Sequence, residues 1–187
     1  MFELTAVTNR HLSEHPLLEQ LERVFRSPWC PRRLVLREKD LSLQEYLELA
    51  LQVQKSCLRY NVEFVAHNFP QAALQLKCPL QMPLGYFQAG EVRRTASRLG
   101  TSVHSLAELA VAQRSAVDYV VAGHIYATSC KQGVPPRGTA FLREICQVSR
   151  VPVYAIGGIK LGIQKQLQEL EACGAAGACI MSDYMQL

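Results

Sequence analysis

The chain has 187 residues, 49% of them apolar and 19% charged, a balance that excludes the disordered and fibrous classes. Lys and Arg number 20 against 16 Asp and Glu, and the resulting +4 is too mild and too evenly spread to mark a nucleic-acid binder. No apolar run approaches the roughly 18 residues of a membrane helix, and Met-Phe-Glu-Leu-Thr at the start has no basic region leading into an apolar one, so neither a span nor a secretory signal is expected.

Read in chain order, short apolar runs alternate with longer amphipathic stretches. Leu4–Thr8 is the first run, followed by a helix face of Leu17, Leu18, Leu21, Val24 and Phe25. Leu34–Arg37 comes next. Ser42-Leu43-Gln44-Glu45 then spells a capping box and opens a helix over Leu43–Cys57, with Leu47, Ala50, Leu51 and Val53 in its pattern. Val62–Ala66 and Leu80–Met82 are further runs, Gln88–Leu99 reads as a helix, and Thr101–His104 as the fifth run. Ser105-Leu106-Ala107-Glu108 repeats the capping-box spelling. Asp118–Ala122, a helix over Thr139–Ser149, the run Val151–Ile156, a helix over Leu161–Cys173 and the run Gly177–Met181 complete the series.

Most of the runs are continuous rather than alternating, as strands buried on both faces should be. Eight such strands with helices between them predict a TIM (β/α)8 barrel filling residues 1–187 as one domain, at about 23 residues per unit. A doubly wound open sheet is the rival architecture. Only six residues follow Met181, so the final helix is expected to be short or missing. The seven cysteines are odd in number and include no CxxC pair, which points to reduced thiols in a cytoplasmic protein rather than a disulfide framework or a structural zinc site.

In a parallel barrel the chemistry sits where strands end. The polar residues that follow the runs are Thr8-Asn9-Arg10, Arg37-Glu38-Lys39, His67-Asn68, His104-Ser105, Gly123-His124, Gly157-Gly158 and Ser182-Asp183. Strands also end simply because polar residues begin. Gly157-Gly158 after the seventh run, with Met181-Ser182 after the eighth, fits the phosphate cradle usual at these positions, since glycines let backbone N–H groups approach an anion; a tight turn explains the same pair. The long loop from Gly123 to Gly138 reads as a binding loop or lid. His124 at its base is suited to take and return a proton near neutral pH, or is a satisfied packing residue. Lys131 and Arg137 either close over an anion or are solvated. His104 either contacts a ligand or braces the rim. Cys130 has no neighbouring base in the sequence and is not read as a nucleophile.

Taken together, Arg37-Glu38-Lys39-Asp40, Ser102-Val103-His104-Ser105, Gly123-His124, Thr128-Ser129-Cys130-Lys131-Gln132-Gly133 and Ala155-Ile156-Gly157-Gly158-Ile159 resemble the thiamine phosphate synthase superfamily, over about Leu4 to Ser182. Within it the chain is more similar to the TenI-like thiazole tautomerases. Synthases resemble Gly-Pro-Ile-Phe-x-Thr where this chain has Gly123-His124-Ile125-Tyr126-Ala127-Thr128. The Cys130-Lys131 pair and Leu80-Gln81-Met82-Pro83 also look tautomerase-like.

The resemblance implies an isomerase of thiamine biosynthesis that converts a thiazole carboxylate phosphate tautomer to its aromatic form by a proton shift, with His124 as general acid–base and no cofactor. It implies Arg37, Lys39, Ser102, His104, Thr128, Lys131, Gly157, Gly158, Met181 and Ser182 as residues that hold the substrate and its phosphate, no metal, and a homodimer with neither nucleic acid nor membrane as partner. Synthases carry Asn-Asp where this chain has His67-Asn68, and losing that carboxylate weakens a magnesium diphosphate site. The alternatives are a thiamine phosphate synthase joining a pyrimidine diphosphate to thiazole phosphate, and a non-catalytic phosphate-ligand-binding regulator.

Overall fold

The computed structural model describes residues 2–86, 91–131 and 133–187. The strands are β1 (Glu3–Val7), β2 (Arg33–Leu36), β3 (Glu63–His67), β4 (Leu80–Pro83), β5 (Leu99–Val103), β6 (Tyr119–Gly123), β7 (Val153–Ile156) and β8 (Gly177–Ile180). All neighbours are parallel, and β8 returns to β1 through Leu4↔Ala178 and Ala6↔Ile180, which closes the barrel and excludes the open sheet. Each apolar run of the sequence falls on its strand to within two residues.

The helices are α1 (Leu17–Arg26), α2 (Leu43–Arg59), α3 (Pro70–Leu76), α4 (Glu91–Arg94), α5 (Leu106–Arg114), α6 (Gly138–Val148), α7 (Gln164–Ala172) and α8 (Ser182–Met185). The last is a single turn. Among the described residues no helix is long and apolar enough to cross a membrane. The α2 capping box is complete: the Ser42 hydroxyl accepts from Glu45 N–H while the Glu45 carboxylate accepts from Ser42 N–H at 2.8 Å. At α5 the expected box is shifted by one residue. Ser105 accepts from Glu108 N–H at 3.1 Å, but the Glu108 carboxylate reaches past the cap to His104 N–H at 2.6 Å.

One helix expectation is corrected, and one helix appears that the sequence reading lacked. Residues 88–90 of the helix read over Gln88–Leu99 lie outside the described residues; the rest is one turn, Glu91–Arg94, and Leu99 begins β5. Tertiary pairing draws this end into the sheet, since Leu99 N–H donates to Asp118 Oδ2 at 2.7 Å and the Arg98 carbonyl accepts from Leu80 N–H at 2.8 Å. Helix α3 has no counterpart in the sequence reading. It starts on Pro70 at its first turn and ends on Lys77 in the left-handed region at φ 50°.

The core has two compartments. Leu34, Leu36, Leu80, Leu99, Leu142, Ile145 and Leu170 pack between barrel and helices, while Val7, Val35, Val65, Tyr119, Val121, Tyr154 and Cys179 fill the barrel interior. Below them, at the N-terminal end, Arg33 is 5% exposed. It donates to Glu63 at 2.8 Å and to Glu3 at 3.3 Å, and lies 4.8 Å from the Tyr154 ring centre. This plug leaves the opposite, C-terminal mouth as the place for a ligand.

Candidate active site

At that mouth a cavity of about 430 Å³ is lined by His124, Arg37, Ser102, His104, Thr128, Lys131, Gly157, Gly158, Met181 and Ser182, so the barrel brings together all the predicted site residues except Lys39. Lys39 does not line it, yet stands near enough that repulsion from Arg37, partial burial and repulsion from Lys131 hold its ammonium below the ordinary lysine value. Among the described residues Arg37, Lys39 and Lys131 have no carboxylate partner. One Arg37 guanidinium nitrogen lies 4.0 Å from Met181 Sδ, across the mouth from its own strand. Of the two readings of Arg137 the structure matches the solvated one: it is exposed, does not line the cavity and rests over the Phe141 ring at 5.4 Å.

The carboxylates near this rim are each engaged. Glu38 turns out of the Arg37-Glu38-Lys39 segment, accepting from the Thr8 hydroxyl at 2.6 Å and pairing with Arg10 at 2.9 Å. Asp40 is held by Arg10 and lies 3.1 Å from His11 Nε2, and the Arg10 guanidinium keeps its carboxyl well below the usual range. Asp183, next to the candidate phosphate cradle, accepts from Lys160 Nζ at 2.7 Å and from Leu161 N–H at 3.0 Å. Thus Thr8 and Arg10 hold the Glu38 carboxylate, and Arg10 that of Asp40, away from the mouth.

Opposite Arg37, Gly157 and Gly158 adopt φ of 102° and 68°, the left-handed region that favours glycine. A Cβ on Gly158 would overlap the Ala127 carbonyl, and one on Gly157 would overlap His124. The N–H groups of Gly157, Gly158 and Ser182, and the Ser182 hydroxyl, have no partner among the described residues. Unpaired N–H groups beside a hydroxyl form a receptor for anionic oxygens.

His124 follows β6, and its strand end is tied to β7 by Ile125 N–H donating to the Ile156 carbonyl and Tyr126 N–H to the Gly157 carbonyl, both at 2.9 Å. The long loop then returns: Arg137 N–H donates to the His124 carbonyl at 2.9 Å and Gly138 N–H to Ile125 at 3.1 Å. The imidazole lines the cavity at 5% exposure and is fixed by its own loop, Nε2 lying 3.2 Å from the Val134 carbonyl. A carbonyl only accepts, so Nε2 is the donor of this contact, and Nδ1 has no partner among the described residues. His124 is thus a wall residue with one committed nitrogen. Cys130 also lines the cavity, and Gln132 of the predicted loop lies outside the described residues.

Several wall residues had no signal in the sequence. Leu12 and Gln186 come from the short segments after β1 and β8, too brief for any periodicity to place. His67 and Asn68 stand outside the cavity wall, with His67 Nδ1 and Asn68 Oδ1 buried and without a partner among the described residues. Burial, reinforced by Arg37 and Lys39, pulls His67 down to about 3. Among the described residues no group of His, Cys, Asp and Glu is gathered to hold a metal ion.

The comparisons with known proteins agree with this architecture. A solved structure, the thiamine phosphate pyrophosphorylase from Pyrococcus furiosus, shares the fold with a TM-score of 0.82 at 24% identity, over 98% of this chain and 87% of that one. The putative thiamine-phosphate synthase 2 of Aquifex aeolicus is 29% identical over 177 residues, covering 93% of this chain and 94% of the relative. The thiamine-phosphate synthase of Listeria monocytogenes is 35% identical over 158 residues, covering 78% and 72%. That of a Synechococcus strain is 31% identical over 143 residues, and there the chain spans only 40% of a longer protein. The family model for thiamine monophosphate synthase matches residues 4–184, and the chain belongs to that family, an enzyme family of thiamine biosynthesis.

Proposed function

We propose that this member of the family is an isomerase: it moves one proton on a thiazole carboxylate phosphate and so makes the ring aromatic. The observation that carries the reading is His124 in the cavity wall with Nε2 committed to Val134 and Nδ1 without a partner among the described residues, at a position where the synthase pattern has a proline unable to carry a proton. Aromatisation is downhill, so the protein has only to lower a proton-transfer barrier, and one placed acid–base group supplies about 100- to 10,000-fold. The Gly157-Gly158 turn with Ser182 takes the phosphate and Arg37 with Lys131 the carboxylate, fixing the ring beside Nδ1. No redox cofactor enters such a shift.

A second reading, a synthase joining a pyrimidine diphosphate to thiazole phosphate, is favoured by the names of the curated relatives. The residues at the mouth do not fit the magnesium ion that diphosphate chemistry implies. Position 68 offers a neutral amide oxygen, while Glu38, Asp40 and Asp183 are already paired with cations. Incubation of the protein with the thiazole tautomer, with and without pyrimidine diphosphate and Mg²⁺, separates the two. Aromatic product formed from the tautomer alone supports the isomerase, Mg²⁺-dependent diphosphate release supports the synthase, and binding without turnover leaves a ligand-binding regulator.

A further inference from the structure

We propose that the N-terminal end of the barrel is a second anion site, which takes a phosphate group against Arg32, Arg33 and Arg98. The site is built from strand starts. Glu3, Arg33 and Glu63 are the first residues of β1, β2 and β3, the register Arg33↔Glu63 sets two of them level, and Arg98 directly precedes β5. With Arg32 they surround a cavity of about 240 Å³ that shares no lining residue with the cavity at the C-terminal mouth.

A plug alone asks for one buried cation and the carboxylates that balance it. Here three guanidinium groups line the cavity with two carboxylates, an excess of one positive charge. The donors are in excess as well. Arg33 donates from Nε to Glu63 at 2.8 Å and from Nη2 to Glu3 and to the Tyr154 hydroxyl, both at 3.3 Å, while its Nη1 has no partner among the described residues. Arg98 gives Nη2 to the same Glu63 oxygen that Arg33 uses, and its Nε is buried without a partner among the described residues. Arg32 is exposed at the cavity edge, and among the described residues no carboxylate pairs with it.

A charged donor buried without an acceptor is costly, and a fold that places two such groups around one cavity is completed by an acceptor from outside. Phosphate supplies negative charge together with several oxygens, each able to accept from a guanidinium fork. Because Glu3 and Glu63 line the same space, the excess is a single charge, which suits one phosphate group better than a diphosphate. Leu58 and Val62 add an apolar wall, where the organic part of a phosphate ester would lie. The ligand would join the start of β5 to β2 and to the α2–β3 turn, so it acts on the base of the barrel and not on the reaction at the opposite mouth.

The test uses the full chain labelled with ¹⁵N and titrated with inorganic phosphate, with glycerol phosphate, and with chloride at matched ionic strength. The amide signals of Asn61, Val62 and Glu63 and the Nε–H signal of Arg98 report this site, while those of Gly157, Gly158 and Ser182 report the other mouth separately. The expected result is a saturable shift of the first set with phosphate and none with chloride. Tighter binding of glycerol phosphate assigns the apolar wall to the ester, and equal binding assigns the site to the free ion. Arg32→Met is expected to weaken binding about 3- to 5-fold, and Arg32→Met with Arg98→Met by about 10-fold or more. Should the double variant fail to fold, Arg32→Met alone decides, since the side chain it removes is exposed. Shifts that do not saturate, shifts reproduced by chloride, or variants that bind as the parent does overturn the site.

Discussion

Gly157 is a glycine because His124 stands against it: a Cβ there would overlap the histidine Cβ and lie 2.8 Å from its Cα, on a backbone at φ 102°. The turn after β7 and His124, the proposed acid–base residue after β6, are therefore one packed unit. Gly157→Ala is expected to displace the imidazole and reduce kcat by about 10- to 100-fold, with a smaller effect on KM. Steady-state kinetics checks this; an unchanged kcat would separate the turn from the proton transfer.

Glu38 removes negative charge from the mouth at the cost of burying a carboxylate, whose side chain is 1% exposed. It is stabilised by the Thr8 hydroxyl, Arg10 N–H and the Arg10 guanidinium, and Thr8 in turn accepts Arg37 N–H at 2.9 Å. Glu38→Ala strands these donors and is expected to destabilise the protein by about 3 kcal/mol. Denaturant midpoints measure it, with loss of product affinity following as the Arg37 strand end loosens.

Arg37 has no carboxylate partner among the described residues and lines the cavity, so its charge is available to a ligand. Arg37→Met is expected to weaken binding of the aromatic thiazole carboxylate phosphate by about 10- to 100-fold, the worth of a charged hydrogen bond. Titration calorimetry at two salt concentrations checks both the loss and its electrostatic origin.

Much of this was legible in the sequence, and the physical reasons divide it cleanly. Strands buried on both faces write continuous apolar runs, so all eight were readable, and the residues following them mark the mouth. Leu99 was not, because the pairing that draws it into β5, its N–H donating to Asp118, is tertiary; the missing Cβ of Gly100 beside it makes room for the Tyr119 ring. Which way a rim side chain turns depends on partners far away in the chain. Asp183 faces Lys160, Glu38 faces Thr8 and Arg10, and His124 gives Nε2 to Val134. None of these pairings leaves a periodic trace.

His67 gives a pH signature. Burial and the neighbouring cations lower its folded value to about 3 from 6.5, so below pH 6.5 the unfolded chain binds a proton that the folded one refuses. Its contribution therefore penalises folding as pH falls from about 6.5 to about 3, with a slope of at most about 1.4 kcal/mol per pH unit. A His67→Gln variant is expected to lose less stability than the parent between pH 7 and pH 4.5. Paired denaturant melts at the two pH values show it, and equal losses would mean that His67 accepts a proton in the fold.

The account turns on His124, and His124→Asn tests it most directly, since a neutral amide cannot take and return a proton. With the thiazole tautomer as substrate, the expected result is a fall in kcat of about 100- to 10,000-fold with affinity for the aromatic product nearly unchanged. A His124→Asn variant that turns the tautomer over at the parental rate would contradict it.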